Sequence, residues 1–173
     1  EQVRSLNLAN SVAIVAYGKL GSRELTPTSD LDLVVIYDDR PDVMSQGGSK
    51  SLSAPAYYIR FVQRLITALN LLTREGILYN VDLRLRPDGQ KGALATPFSG
   101  LAKYHRESAW TWEHVAMTRA RVIHGPAALA ERVREVIREA LARPRDPEIL
   151  RRDVADMRVR MRAEFPGQNL WDL

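Results

Sequence analysis

Two aspartates, Asp30 and Asp32, stand one residue apart at the head of an apolar run from Leu31 to Tyr37. If that run is a strand, its side-chain period of two points both carboxylates to one side and Leu31 and Leu33 to the other. Neighbouring carboxylates repel, and a fold keeps such a pair most readily where a cation sits between them. A third aspartate, Asp82, falls in another strand-like stretch, Ile77 to Arg86. There Asp82, Arg84 and Arg86 share one face, and Val81, Leu83 and Leu85 the other. If the two strands pair, three carboxylates meet at one end of a small sheet. All-oxygen donors suit a hard cation such as Mg²⁺, which binds through a few carboxylates, waters and substrate phosphates. Two such ions would serve an in-line displacement at phosphorus, with Arg84 and Arg86 neutralising phosphate oxygens. Gly21 and Ser22, with backbone N–H groups and a hydroxyl, could hold terminal phosphates at a helix start. Plainer alternatives stand beside these: a turn or cap role for Asp30 after Ser29, and a structural ion pair of Asp82 with Arg84 or Arg86. Asp32 is harder to dismiss, because a carboxylate within an apolar strand needs partners.

The elements that must position these residues are read from periodicity. Val12 to Tyr17 reads as a buried strand ending at Gly18, and Gly21 to about Thr26 as a short helix. Pro27 to Ser29 is a turn, and Leu31 to Tyr37 the next strand of the same sheet. Asp38 to Pro55 is polar and rich in Gly and Ser, a long mobile loop. From Tyr57 an apolar stripe through Tyr58, Phe61, Val62, Leu65, Ile66, Leu69 and Leu72 predicts a helix that Glu75-Gly76 ends. Pro87-Asp88-Gly89 stops the Asp82 strand, and Lys91 to Pro97 is a loop or edge strand. Helices are expected over Ser99 to Arg106, Ala109 to about Arg121, Leu129 to Leu141, and Ile149 to Glu164. In the last of these, arginines alternate with acids as a solvated face.

The 173 residues include no cysteine, so neither a disulfide framework nor a thiolate zinc site is available. Among the apolar runs none approaches a transmembrane span. The net charge of +4 rests on arginine more than lysine and decides little about partners. No basic track studded with aromatics suggests nucleic acid. Gly18-Lys19 has the wrong order for a Walker A loop, and no G-x-S-x-G elbow is present. His105, His114 and His124 lack metal-ligand spacing. Trp110 and Trp112 suggest helix packing.

Gly21-Ser22 followed by Ser29-Asp30-Leu31-Asp32-Leu33 resembles the signature of the DNA polymerase β-like nucleotidyltransferases. The longer wording is narrower. Gly18-Lys19-Leu20-Gly21-Ser22-Arg23-Glu24-Leu25, then Val81-Asp82-Leu83-Arg84-Leu85-Arg86-Pro87 with Gly89, is similar to the bacterial glutamine synthetase adenylyltransferase/adenylyl-removing enzymes. That resemblance covers nearly the whole chain. It implies an α+β fold, a small mixed sheet with helices packed on it and a C-terminal helical part. The catalytic domain would occupy residues 1–126 and the start of a helical region 127–173. Such enzymes carry two related domains, and Ala109-Trp110-Thr111-Trp112-Glu113-His114 with Arg119-Ala120-Arg121-Val122 is similar to the adenylylating copy. The implied reaction is transfer of AMP from ATP to a tyrosine of glutamine synthetase, in the cytoplasm, under possible control by a nitrogen-signalling protein. No nucleic acid or membrane is expected as a partner.

The resemblance implies Asp30, Asp32 and Asp82 as catalytic residues holding Mg²⁺, two ions in all, and Gly21, Ser22, Ser29, Arg84 and Arg86 as nucleotide contacts. Ser22 departs from the second glycine usual in the family. The stop at Trp171-Asp172-Leu173, ahead of an expected Gly-rich acidic segment, suggests a fragment. Two alternatives stay open: the deadenylylating copy, which removes AMP by phosphorolysis, and an inactive regulatory fragment.

Overall fold

Val12–Ala16 (β1) and, Asp32 apart, Leu31–Tyr37 (β2) are apolar on both faces because both faces are covered. A computed structural model describes residues 11–39, 44–45, 51–74, 76–77 and 79–164. In it β1 and β2 pair antiparallel, from Val12 opposite Tyr37 to Ala16 opposite Leu33. Arg121–His124 (β7) adds antiparallel to the other edge of β1. Along the outer edge of β2 lie two short parallel strands in succession. Val81–Asp82 (β5) pairs with Leu31 and Asp32, and Ala95–Pro97 (β6) pairs with Val35, Ile36 and Tyr37. Leu72–Thr73 (β3) and Gly76–Ile77 (β4) form a separate two-stranded hairpin.

The period of two sends alternate side chains of this mixed sheet into two cores. Ala13, Val15, Tyr17, Val34 and Ile36 face Phe98–Glu107 (α3), Thr111–Met117 (α4) and Ala127–Ala142 (α5), meeting Leu101, Met117, Leu129 and Val133. Val12, Leu31, Leu33, Val35 and Tyr37 face Ala54–Leu69 (α2), whose Tyr58 and Val62 are fully buried. Tyr37 and Tyr58 stack there with ring centroids 4.5 Å apart. The centre of the sheet is thus held between two helical layers, which leaves its ends to meet solvent. Pro147–Glu164 (α6) packs against α4 and leaves most of its surface exposed.

Several sequence expectations change. The short helix (α1) is Gly18–Ser22 rather than 21–26, so Gly21 and Ser22 lie in its last turn, and Arg23 closes it in the left-handed region at φ 66°. The stretch 77–86 is not one strand: the chain leaves the sheet after Asp82 and turns through 84–88. Leu72 drops out of the helical stripe and stands exposed in β3. The helix expected to run to Arg121 stops at Met117, and Arg121 instead opens β7, whose partly exposed Arg-Val-Ile-His pattern resembles a helix face as much as an edge strand. Strands β1 and β2 and helices α2, α3, α5 and α6 stand close to where periodicity puts them. Residues 1–10, part of the 38–55 loop and Trp171 to Leu173 lie outside the described residues.

Candidate active site

Asp32 and Asp82 are register partners across β2 and β5, so their side chains project from the same face of the sheet. Leu31 N–H donates to Asn80 O at 2.8 Å and locks that register. Asp30, exposed at the head of β2, adds a third charge near enough to act on Asp32. Burial, then Asp82, then Asp30 push the Asp32 carboxyl above the usual carboxylate range, against a smaller pull from Arg84. No hydrogen bond to the Asp32 carboxylate occurs among the described residues, so relief there must come from solvent or a cation.

Asp82 is treated differently. Burial works to raise it, but Arg84 more than offsets this and holds the carboxyl below its ordinary value. Asp82 Oδ1 accepts the backbone N–H of Arg84 at 2.7 Å and Oδ2 accepts Arg84 Nε at 2.7 Å, with Nη2 in ion-pair contact at 2.5 Å. This is the structural pair that the sequence left as an alternative. It is also a cation seated at the carboxylates, on a side chain 65% exposed and therefore free to be drawn away. Arg86 is another matter. It is buried, and its guanidinium donates to the carbonyls of Leu83 (2.6 Å), Gly92 (3.1 Å) and Gln90 (3.2 Å). The expectation that Arg84 and Arg86 share a strand face fails: one sits at the carboxylates, the other braces the turn.

Gly18 and Gly21 owe their identity to close approach. A Cβ on Gly18, at φ +51°, would lie 2.3 Å from Asp32 Oδ2, so only glycine lets the chain pass beside that carboxylate. A Cβ on Gly21 would lie 1.9 Å from the Arg119 carbonyl oxygen. The Gly21 N–H is already given to Tyr17 O at 2.7 Å. It is therefore not a free helix-start donor, as the sequence suggested. Ser22 Oγ bonds to Gly18 O at 3.0 Å and Glu24 Oε2 at 2.8 Å. Ser29 Oγ accepts the Thr26 N–H at 3.1 Å and meets Thr26 Oγ1 at 2.6 Å, fixing the turn into β2.

The sequence did not single out Arg121 for a role, yet it donates to the carbonyls of Gly21 (2.9 Å) and Leu20 (2.8 Å). Those carbonyls end α1, that of Leu20 also accepting the Arg23 N–H, so β7 clamps the helix beside Asp32. Trp110 and Trp112 also depart from expectation. They do not pack inside but stand 69% and 43% exposed, on the wall of a cleft of about 710 Å³ that opens onto Asp32, Asp82 and Arg84. Glu113 is buried and places them: it accepts the Trp110 N–H at 2.8 Å and the Tyr104 hydroxyl at 2.8 and 3.0 Å. Burial, then Glu113, raises the Tyr104 phenol to about 12, so it stays a donor.

The oxygen donors fit a hard cation, and the raised Asp32 has the unmet charge that such an ion would relieve. Among the described residues no three His, Asp or Glu side chains are drawn together closely enough to form a finished cage. Arg84, paired with Asp82, is the cation that now meets these carboxylates.

A small mixed sheet with carboxylates on adjacent strand ends, flanked by helices on both faces, is the α+β architecture of the nucleotidyltransferase type. The particular lineage is narrower: residues 3–136 match the glutamate-ammonia ligase adenylyltransferase family, and the chain belongs to it. It is 51% identical over 162 residues to a bifunctional glutamine synthetase adenylyltransferase/adenylyl-removing enzyme of Brucella suis biovar 1. Enzymes of the same name from Bradyrhizobium sp. (strain BTAi1) and Rhodopseudomonas palustris (strain TIE-1) are 50% and 49% identical over 161 residues. The matches cover 94%, 93% and 93% of this chain but 16% of each relative, so the chain spans about one-sixth of their length. None of its described helices is long and apolar enough to cross a membrane.

Proposed function

We propose that this chain transfers AMP from ATP to a tyrosine of glutamine synthetase, releasing pyrophosphate. The observation that carries the proposal is the in-register Asp32–Asp82 pair with Asp30 beside it. Asp30, Asp32 and Asp82 would hold Mg²⁺, as two ions in the sense of a two-metal site, and when bound these would neutralise phosphate charge and lower the pKa of the acceptor hydroxyl. The tyrosine oxygen forms a bond to the α-phosphorus, the bond to the β-phosphate bridging oxygen breaks, and pyrophosphate leaves with the electron pair. Asp82, on the side of the sheet edge that faces the cleft, takes the phenol proton once Arg84 moves from it to a phosphate oxygen. Arg84 is the phosphate contact favoured here; Arg86 keeps the turn that presents it. Ser22 and Ser29 can reach phosphate only by exchanging the bonds they now make, and Gly21 contributes by letting α1 sit close.

Support for the adenylylating direction comes from the wording of residues 109–114 and 119–122. The relatives' name covers both adenylylation and AMP removal, so phosphorolytic deadenylylation is the rival to test. With Mg-ATP and unmodified glutamine synthetase, the complete enzyme should release pyrophosphate and depend on this domain for it. Phosphate-dependent release of ADP from adenylylated glutamine synthetase, lost on mutating Asp32, would instead assign the removing activity here. Failure of this chain to bind ATP in calorimetry, with or without Mg²⁺, would make it a regulatory module. Control by a nitrogen-signalling protein and a cytoplasmic setting belong to the same proposal.

A further inference from the structure

From the cleft beside the carboxylates we infer the seat of the acceptor: Trp110, Trp112, Met157 and Met161 receive the aromatic ring of the protein segment that takes AMP, not the adenine of the nucleotide. The inference rests on the adenylyl-transfer function proposed above and names the part of the site that function leaves unassigned.

Three features carry it. The first is position. Asp32 is flanked by α1 on the β1 side, where Gly18 leaves no room for a Cβ beside its carboxylate, and by the cleft on the β5 side, through Asp82 and Arg84. Among the described residues, none of α1 or of the turn at 26–29 lines the cleft. An in-line displacement puts nucleophile and leaving group on opposite sides of phosphorus. In the proposed function pyrophosphate leaves toward Ser22 and Ser29 beside α1, which puts the entering hydroxyl on the cleft side.

The second is chemistry. Trp110, Trp112 and Met161 are exposed by 69%, 43% and 55%. They sit together on two facing helices, where thioether and indole surfaces suit a phenol ring. The wall is built rather than incidental, because buried Glu113 fixes the start of α4 and Thr111 Oγ1 donates to Asp153 Oδ2 at 2.7 Å, tying α4 to α6. At about 710 Å³ the cleft has room for a ring and the backbone on either side of it.

The third is charge. The lining holds four aspartates, at 32, 82, 153 and 156, against two arginines, 84 and 160, in a chain whose net charge is +4. A locally acidic wall repels a polyphosphate beyond the Asp32–Asp82 end. It attracts a segment carrying a basic residue next to its aromatic ring, with Asp156, exposed on α6, as the partner.

The test is steady-state transfer by the complete enzyme, with acceptor protein and ATP varied separately. Trp112→Ala and Met161→Glu should each raise the KM for the acceptor about tenfold, as loss of an interface anchor does. The KM for ATP should stay within about twofold, because uniform binding of the nucleotide is untouched. Trp112→Phe should restore most of the acceptor affinity, and Asp156→Lys should weaken it. A rise in the KM for ATP with the acceptor's unchanged would overturn the inference and put adenine in the cleft. Unchanged values for both, in variants of an enzyme whose wild type transfers AMP, would overturn it as well. A wild type that transfers no AMP would sink the proposed function itself, and this inference with it.

Discussion

Asp32 and Glu113 are both carboxylates drawn out of water, and the molecule treats them in opposite ways. Glu113 is the more buried, yet it accepts hydrogen bonds from the Tyr104 hydroxyl and the Trp110 N–H, and its neighbours His105 and His114 stay neutral inside the same helical layer. Asp32 is half-buried beside Asp82 and Asp30 and finds no donor among the described residues. Glu113 is marked as structural by its fixed partners, and Asp32 as a working group by the partners it lacks. Around Glu113 the fold supplies donors for the carboxylate, though His105 Nδ1 nearby is buried without a partner among the described residues; at Asp32 it has left charge to be met from outside.

That contrast can be broken in five places. Asp82→Asn should lower AMP transfer by about a thousandfold or more, as loss of a charged group at the reacting centre does, while leaving the melting temperature nearly unchanged. A collapse of the melting transition would make Asp82 structural after all. Acid should act on the other region. Burial, then the nearby His114, lowers His105 to about 4, from 6.5. The unfolded chain therefore binds the proton first, and stability is fully present above about pH 6.5 and falls as pH drops through about 4. The loss is on the order of 3 kcal/mol at most, seen as a falling urea midpoint that His105→Gln should flatten. Glu113→Ala should cost roughly 2 kcal/mol by orphaning two donors, read by denaturant titration, and should shift AMP transfer mainly through the acceptor's KM. Smallest is Arg84→Ala, with a drop of about tenfold in kcat/KM for ATP and little change in stability. Arg86→Ala should do the reverse, since Arg86 holds three carbonyls of its own turn.

The sheet's centre was legible because β1 and the 33–37 part of β2 are apolar runs buried on both faces. The three aspartates were legible because a carboxylate at an apolar strand's head is costly and stands out. The path of the chain beyond Asp82 was hidden. The alternation Val81, Leu83, Leu85 against Asp82, Arg84, Arg86 has strand period, but the Asp82 side chain captures the Arg84 N–H and turns the chain out of the sheet. Gly21 has the look of a phosphate-binding helix start, whereas its need is the Arg119 carbonyl 1.9 Å from where a Cβ would be, a contact nearly a hundred residues away in sequence. Trp110 and Trp112 read as core residues, since apolar bulk alone does not say which helix face is left open. Arg121 entered only as part of a family wording and gave no sign of its role, because its work is to hold carbonyls contributed by a distant element.

The central claim is that the Asp32–Asp82 edge moves AMP onto a tyrosine. The most direct measurement is the mass of that tyrosine-bearing peptide of glutamine synthetase after incubation with Mg-ATP and the complete enzyme, wild type or Asp32→Asn. The account predicts the added mass of AMP with wild type and none with the variant, whose circular dichroism and melting stay those of wild type. Normal AMP incorporation by a folded Asp32→Asn enzyme would contradict it.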